Sequence, residues 1–242
     1  MTEPVERLFP LYSRMAYKAL KHVLLGPPMR AMYEVRTEGL ENIPSGGPGI
    51  VAANHISFLD SLFIPLAVPR RVTYLAKADY WDSWKTRWFF EIVGQIPVRR
   101  ESAKDAAGAL EAGCRVLENG GLLGIYPEGT RSPCGRLYRG RTGAARMAAR
   151  TGCPVIPVGL VGTREIQPKD AKLPRFSGEV VVRFGEPMVL TQDEVDADPL
   201  ALRSFTDGLM YRIRELSGQE YVDDYASKPK RPDGQDARAP AA

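Results

Sequence analysis

The chain has 242 residues, 44% of them hydrophobic, and is long enough to bury the core of one sizeable domain. Its formal net charge of +4 indicates an anionic partner, which nucleic acid, a phosphorylated substrate or an anionic membrane would satisfy equally. Three cysteines without metal-ligand spacing and only two histidines argue against structural zinc and favour a reduced, cytosolic setting.

The first predicted element is a helix over residues 10–25 that ends at Gly26-Pro27-Pro28. Its apolar face, which includes Met15, Leu20 and Val23, lies opposite a basic face of Arg14, Lys18 and Lys21. Such a helix suits the headgroup plane of a membrane, and packing against the protein core is the alternative. The chain shows no secretory signal and no apolar run of roughly 20 residues. We therefore expect residues 1–30 to attach the protein to the cytoplasmic face of the cell membrane as a peripheral, monotopic segment.

Strands alternate with helices between residues 31 and 225. A buried strand is predicted at 49–53, further strands at 72–76, 122–126 and 155–160, an edge strand at 179–184, and helices at 58–67, 83–93, 106–117, 142–150 and 202–216. This alternation predicts an α/β fold with a single mixed, largely parallel sheet flanked by helices. Residues 226–242 have no large apolar side chain and several prolines and basic residues, which predicts a disordered tail.

A histidine and an aspartate stand five positions apart in the segment Asn54-His55-Ile56-Ser57-Phe58-Leu59-Asp60. The predicted strand ends just before His55, and Asp60 falls in the first turn of the next helix. Imidazole can take a hydroxyl proton near neutral pH, and a carboxylate on its other nitrogen fixes the tautomer. The alternative is structural, because Ser57 and Asp60 also have the spacing of a helix-capping box.

The nucleophile that such a pair would activate is not evident in the chain. No Gly-x-Ser-x-Gly elbow occurs, and none of the three cysteines lies in a recognisable nucleophile motif. The attacking hydroxyl is therefore expected to belong to a substrate.

Four segments, in order, resemble the motifs of the 1-acylglycerol-3-phosphate acyltransferase family, one of the glycerolipid acyltransferase families. They are Asn54 to Asp60, Gly94-Gln95-Ile96-Pro97-Val98-Arg99-Arg100, Tyr126-Pro127-Glu128-Gly129-Thr130-Arg131-Ser132 and Val155-Ile156-Pro157-Val158. Tyr126 stands where the family usually has Phe, Pro97 where it often has an aromatic residue, and Arg99 where an acidic residue is common.

The resemblance implies a role for each matching residue. His55 would be the general base and Asp60 its partner, while Arg100, Glu128, Gly129, Thr130 and Arg131 would hold the acceptor phosphate. Pro157 would help to shape the acyl-donor side. The implied reaction moves a fatty acyl group from acyl-coenzyme A or acyl carrier protein to the sn-2 hydroxyl of 1-acylglycerol 3-phosphate, giving phosphatidic acid. Beyond that cosubstrate the resemblance implies no cofactor, and no metal.

Other functions remain as alternatives. Another lysophospholipid, glycerol 3-phosphate or a glycolipid would be a related acceptor, and a non-catalytic lipid-binding protein would be expected to have lost His55 or Asp60. Six arginines and no acidic residue occur between Arg131 and Arg150. This window has only Tyr138 as an aromatic residue and matches no nucleic-acid module, so we expect a phosphorylated lysolipid, an acyl carrier or an anionic membrane surface as partners and no nucleic acid.

Overall fold

A computed structural model describes residues 11–93, 95–98, 103–168, 171 and 173–226. Its strands are β1 (Tyr33–Glu38), β2 (Gly49–Ala53), β3 (Val72–Lys77), β4 (Ile96–Val98), β5 (Leu122–Ile125), β6 (Leu137–Tyr138), β7 (Val155–Val161), β8 (Gly178–Phe184) and β9 (Tyr221–Val222). Its α-helices are α1 (Leu11–Ala19), α2 (Gly26–Met32), α3 (Asp60–Ala67), α4 (Trp84–Val93), α5 (Ala103–Glu118), α6 (Gly143–Thr151), α7 (Thr163–Ile166), α8 (Gln192–Ala197) and α9 (Ala201–Ser217). A π-helical segment, Leu20–Leu25, joins α1 to α2.

The main sheet has seven strands in the order β1-β8-β7-β2-β5-β3-β4. Pairing is parallel throughout except between β7 and β8, which run antiparallel. β6 and β9 form a separate two-stranded parallel sheet. The predicted fold class, a mixed and largely parallel sheet with helices, is therefore confirmed.

Helices cover both faces of the sheet, and alternate residues of β2 enter different cores. Val51 and Ala53 pack with α3 residues such as Phe63 in one cluster. Ile50 and Ala52 pack in the other cluster, which includes residues of α5, α6 and α9 such as Leu117, Met147 and Ile213. All five residues of β2 are buried because side chains on both of its faces meet helices, as is usual for a strand inside a parallel sheet.

The prediction that residues 179–184 form an edge strand is wrong. β8 lies between β7 and β1, and β1 occupies that side of the sheet. β1 is not evident from the sequence, because Glu34, Arg36 and Glu38 place charges at alternate positions and most of the strand is exposed.

The predicted end of the first helix at Gly26-Pro27-Pro28 is also wrong, because helical structure continues to Met32. The backbone N–H of Gly26 donates to the carbonyl of Lys21, five residues earlier, so the π-helical segment widens the turn before the prolines. Proline is tolerated there because the first turn of a helix needs no intrahelical N–H donor. A Cβ on Gly26 would lie 2.4 Å from the Lys21 carbonyl oxygen, which explains the glycine.

The buried side of the N-terminal helical segment does not follow the predicted apolar and basic faces, because Leu20 of the apolar face and Lys21 of the basic face are both buried. The ammonium of the buried Lys21 donates to the carbonyl of Val68. Burial, and then the nearby charge of Arg30, lower the pKa of Lys21 to about 8. By contrast Met15, Val23 and Leu24 are exposed by 67%, 72% and 62%.

Two further expectations concern the termini and the membrane. Of the predicted tail, only Ala226 falls within the described residues, and residues 1–10 of the N-terminal segment also lie outside them. Across the described ranges, none of the helices combines the length and the apolar character that a membrane span requires.

Candidate active site

Three loops meet at one edge of the sheet, because β2, β5 and β7 are parallel neighbours and their carboxyl ends lie together. β2 leads into Asn54 and His55, β5 into the turn of residues 126–131, and β7 into Thr163. Strand order thus joins segments that are distant in sequence, since 73 positions separate His55 from Glu128. Any chemistry that uses all three loops therefore depends on the pairing of β2 with β5 and β7.

Asp60 is fully buried at the start of α3 and accepts four hydrogen bonds. Its Oδ2 accepts from Nδ1 of the His55 ring at 2.9 Å and from the N–H groups of Ile56 and Ser57, each at 2.8 Å. Its Oδ1 accepts from the Thr163 hydroxyl at 2.6 Å. An ionised carboxylate only accepts, so Nδ1 carries the ring proton and Nε2 keeps the lone pair that a general base needs.

Of the capping box that was the structural alternative for Ser57 and Asp60, only one bond is formed, from the N–H of Ser57 to Asp60 Oδ2. α3 begins at Asp60, and its N-cap residue, Leu59, makes no side-chain cap. The hydroxyl of Ser57 instead accepts from the N–H of Leu59 at 3.2 Å. Asp60 therefore combines two tasks, because it orders the loop through backbone donors and also holds the imidazole.

Asn54 and Thr163 belong to this arrangement, although the sequence analysis gave neither a role. The buried Asn54 amide donates to Leu160 O at 3.0 Å and to Gln219 Oε1 at 2.7 Å, and it accepts from Leu160 N at 2.7 Å. The only sequence signal for Thr163 is its position just after a predicted strand, which in a parallel sheet leads to the same edge as His55.

Tyr126, where the related family usually has Phe, stacks on the His55 ring. The ring centroids are 3.8 Å apart and the planes differ by 9°. The phenol Oη lies 2.9 Å from the Ser61 hydroxyl, so the tyrosine is itself anchored to α3. Burial raises the pKa of Tyr126, which keeps its phenol neutral. The imidazole is therefore fixed from two directions, by Asp60 at Nδ1 and by Tyr126 along its face.

Glu128 connects two of the loops through main-chain donors. Its Oε2 accepts from the N–H of His55 at 3.0 Å and its Oε1 from the N–H of Tyr138 at 2.9 Å, and its side chain is buried. A further bond, from the N–H of Ser132 to the carbonyl of His55 at 2.7 Å, also joins the loop after β5 to the loop after β2. Desolvation raises the pKa of Glu128 to about 7 in spite of these donors.

This raised pKa gives an expected pH dependence of stability. Between about pH 4.5 and about 7, folded protein retains a proton on Glu128 that unfolded chain has lost. The free energy of unfolding should therefore fall as pH rises through this window, by up to about 1.4 kcal/mol per pH unit from this one group. Above that window both states are ionised and the contribution is constant.

Urea unfolding at intervals from pH 4.5 to 8, for wild type and Glu128→Gln, measures this effect. The variant should be less stable overall, because its amide nitrogen faces a backbone N–H. Its free energy of unfolding should lack the fall with rising pH that Glu128 causes. The difference between the two curves isolates Glu128 from the other titrating groups. Parallel curves would show that Glu128 does not titrate in this range.

The turn after Glu128 presents three of the predicted substrate-binding residues. Gly129 has a φ of 76° and its N–H donates to the carbonyl of Tyr126 at 2.9 Å. A left-handed conformation is available to glycine without steric cost, which explains the residue at this point of the turn. Gly129, Thr130 and Arg131 all line the same cavity as His55.

That cavity has a volume of about 990 Å³. The predicted residues His55, Glu128, Gly129, Thr130 and Arg131 contribute to its wall. Much of the remaining wall is apolar and comes from the N-terminal helical segment, α3, α5 and α6, through side chains that include Leu20, Leu25, Leu62, Leu66, Leu110 and Met147. A long apolar chain could be enclosed next to the imidazole and beside basic side chains.

The two remaining predicted site residues are Arg100 and Pro157. Arg100 lies outside the described residues. Pro157 is buried within β7, in register with Ala52 of β2, and its carbonyl accepts from the N–H of Gly185 at 2.8 Å. Pro157 is not among the described side chains that line the cavity. Within the described ranges, no group of three or more His, Cys, Asp or Glu side chains is arranged to hold a metal ion.

Known proteins resemble this chain in the region that contains the candidate site. A sequence model of the acyltransferase family matches residues 34–161, which include His55, Asp60 and the 126–131 turn. The chain is 30% identical over 186 residues to the chloroplastic 1-acyl-sn-glycerol-3-phosphate acyltransferase LPAT1 of Arabidopsis thaliana, covering 76% of this chain and 52% of that protein. It is 33% identical over 125 residues to the 1-acyl-sn-glycerol-3-phosphate acyltransferase of Borreliella burgdorferi, covering 52% of this chain and 50% of that protein.

A solved structure is also similar. The 1-acyl-sn-glycerophosphate acyltransferase PlsC from Thermotoga maritima superposes with a TM-score of 0.65 at 25% identity, covering 86% of this chain and 82% of that chain. The chain spans about half the length of the curated relatives that it matches. The family match covers more than half of the 242 residues and contains the His55–Asp60 pair. The chain therefore belongs to the acyltransferase family that includes the 1-acyl-sn-glycerol-3-phosphate acyltransferases, as its motifs predicted.

Proposed function

We propose that this chain transfers a fatty acyl group from an acyl thioester to the sn-2 hydroxyl of 1-acylglycerol 3-phosphate, giving phosphatidic acid. The observation that carries the proposal is the position of His55, bonded to the buried Asp60, on the wall of a largely apolar cavity that Thr130 and Arg131 also line. The names of the relatives support the same acceptor. One cavity thus offers a base for the hydroxyl, room for an acyl chain and a cation for a phosphate.

The proposed chemistry is a direct transfer. Nε2 of His55 takes the proton of the acceptor hydroxyl while the hydroxyl oxygen attacks the thioester carbonyl carbon. The tetrahedral intermediate collapses with cleavage of the carbon–sulfur bond, and the departing thiolate takes the proton back from the imidazolium. Asp60 balances the transient positive charge of the ring, because its Oδ2 stays bonded to Nδ1 throughout. The base is restored after each turnover, and no cofactor besides the thioester is required.

Two choices within this proposal concern the substrates. The donor is acyl-coenzyme A or acyl carrier protein. The proposed acceptor combines a phosphate monoester with an acyl chain, and this combination distinguishes it from other lysophospholipids, glycerol 3-phosphate and glycolipids. Purified protein should be incubated with both donors against this panel of acceptors, and free thiol and acylated product should be quantified. The highest kcat/KM is expected with 1-acylglycerol 3-phosphate. Transfer to none of these acceptors with either donor would contradict the proposal.

Arg131 provides a specific test of phosphate recognition. Arg131→Ala is expected to lower kcat/KM by about 10- to 100-fold for phosphorylated acceptors, because a charge-assisted hydrogen bond contributes about 1.5–3 kcal/mol. Acceptors without a phosphate should be affected much less. Arg146→Ala is the matched control, since Arg146 is exposed and its Nε donates to Thr142 Oγ1 in its own helical turn. A uniform loss across all acceptors would remove Arg131 from the phosphate site.

The proposed location is the cytoplasmic face of the cell membrane, with peripheral attachment. Met15, Val23 and Leu24 are large apolar side chains that face outward from the N-terminal helical segment. The other side of this segment contributes Tyr17, Leu20 and Lys21 to the cavity wall. A segment that contacts lipid on one side and the cavity on the other would give a lysolipid a short path from the membrane to His55.

A further inference from the structure

The arginines of the window 131–150 differ in whether a carboxylate lies close to them. Arg136 pairs with Glu220 at 3.6 Å, Arg139 with Asp223 at 3.7 Å, and Arg150 with Glu111 at 2.6 Å. Arg141 differs from them, because no carboxylate of the described chain lies at ion-pair distance from its guanidinium and its side chain lines the cavity. The folded protein therefore neutralises several of these arginines but leaves the charge of Arg141 beside the cavity.

A segment of residues 219–226, here called the C-terminal strap, covers this part of the molecule. Its strand β9 pairs with β6, and the N–H of Arg139 donates to the carbonyl of Asp224 at 2.9 Å. Gln219 connects the strap to the loop of the catalytic pair, because it accepts from Asn54 and donates to the carbonyl of Gly135 at 2.6 Å. At the other end of the strap, Ala226 is buried and lines the cavity.

Arg141 is held in place by the strap and by the turn after Glu128. Its guanidinium carbon lies 5.2 Å from the centroid of the Tyr225 ring, a cation–π distance. The backbone N–H of Arg141 donates to the carbonyl of Pro127 at 2.8 Å, which ties the main chain of Arg141 to the same turn. A Cβ built on Gly129 would lie 3.1 Å from Nε of Arg141, so the side chain passes directly over that turn. The guanidinium thus contacts the Tyr225 ring, passes close to the turn at Gly129, and lines the same cavity as Thr130 and Arg131.

We propose that Arg141, positioned by Tyr225 of the C-terminal strap, is a further arginine that binds the phosphate monoester of the acyl acceptor. The inference rests on the proposed function and goes beyond the residues that the family motifs identify. A phosphate monoester presents several oxygens and close to two negative charges, which more than one planar guanidinium can share. Arg141 supplies a guanidinium to the same cavity as Arg131, and it does so without a carboxylate to compete with the phosphate.

The test compares Arg141→Gln with Arg146→Gln in the full-length chain. Arg141→Gln is expected to raise the KM for 1-acylglycerol 3-phosphate by about 10-fold or more, because a charge-assisted contact to the phosphate is lost. The kcat should stay within about twofold and the KM for the acyl thioester should not change. Arg146→Gln should match wild type. A coenzyme A donor also carries phosphates, so a rise in the KM for that donor instead would overturn the proposal.

A pair of variants tests the role of the strap. Tyr225→Phe keeps the ring beneath the guanidinium and should leave the KM for the acceptor unchanged. Tyr225→Leu removes the ring and should raise that KM by about two- to fivefold, again with an unchanged KM for the thioester. Equal effects of the two variants, or a fall in kcat alone, would contradict a positioning role for the ring.

Direct binding separates this inference from the proposed function. Calorimetry with sn-glycerol 3-phosphate should show weaker binding to Arg141→Gln than to wild type, whereas Arg146→Gln should bind as wild type does. If wild-type protein transferred no acyl group, the proposed function would fail while this measurement still decided whether Arg141 binds a phosphate monoester. Equal binding by wild type and Arg141→Gln would overturn the inference even in an active enzyme.

Discussion

Replacing His55 with alanine is expected to lower kcat by about 10²- to 10⁴-fold, the range that general acid–base catalysis contributes. The KM values of both substrates should change little, because the imidazole acts on a proton and other groups hold the acyl chain and the phosphate. The side chain is partly exposed and packs by stacking on Tyr126, so its loss should leave the fold intact. Turnover is measured as release of thiol and formation of acylated product.

The control for this substitution is His22→Ala, which removes the only other histidine of the chain. His22 is exposed on the π-helical segment and is not among the residues that line the large cavity, so this variant should retain wild-type turnover. Equal thiol release by wild type and His55→Ala would eliminate His55 as the general base. Thiol release without acylated product would show that water replaces the acceptor hydroxyl.

The second large effect is expected at Asp60, where two substitutions separate catalysis from folding. In Asp60→Asn the amide oxygen can still accept from His55, Ile56 and Ser57, and the amide nitrogen can donate to the Thr163 hydroxyl. The arrangement is kept, but the negative charge that stabilises the imidazolium is lost. We expect kcat to fall by about 10²-fold or more while thermal stability changes little.

Asp60→Ala should act differently, because it leaves buried donors without an acceptor. The N–H groups of Ile56 and Ser57 and the hydroxyl of Thr163 would lose their partner, at about 1–3 kcal/mol for each donor that stays unsatisfied. Thermal unfolding followed by circular dichroism should therefore show a much lower Tm for Asp60→Ala than for Asp60→Asn. Similar Tm values with similar kcat values for the two variants would mean that the charge of Asp60 has no separate role.

The parts of the site that sequence could predict are those formed within one short segment. The apolar run of residues 49–53 predicted a strand ending just before His55, and the spacing to Asp60 placed a carboxylate near the ring. The structure adds partners from distant segments, such as Thr163 at 103 positions from Asp60. No local pattern encodes such a contact, because it depends on which strands become neighbours in the sheet.

Amphipathicity failed as a guide at the N-terminus for a related reason. The separation of charged and apolar residues placed Lys21 on a basic face opposite the apolar one, yet a long side chain can bury its stem and place its ammonium on a carbonyl such as that of Val68. The regular 100° repeat also breaks down at the π-helical segment, which changes the direction of every side chain after Leu20. The pattern therefore predicted the helix but not which residues of its two faces are buried against the protein.

The pairing of β2 has a consequence for the order in which the molecule assembles. β2 is bonded on one side to β5 and on the other to β7, and contacts such as Asn54 to Leu160 close loops of 106 positions. Closing long loops before their contacts form is entropically costly, and domains rich in distant pairings fold slowly, in milliseconds to seconds. His55, Glu128 and Thr163 can meet only after these strands have joined. Catalytic competence should therefore be among the last properties to return when the denatured chain refolds.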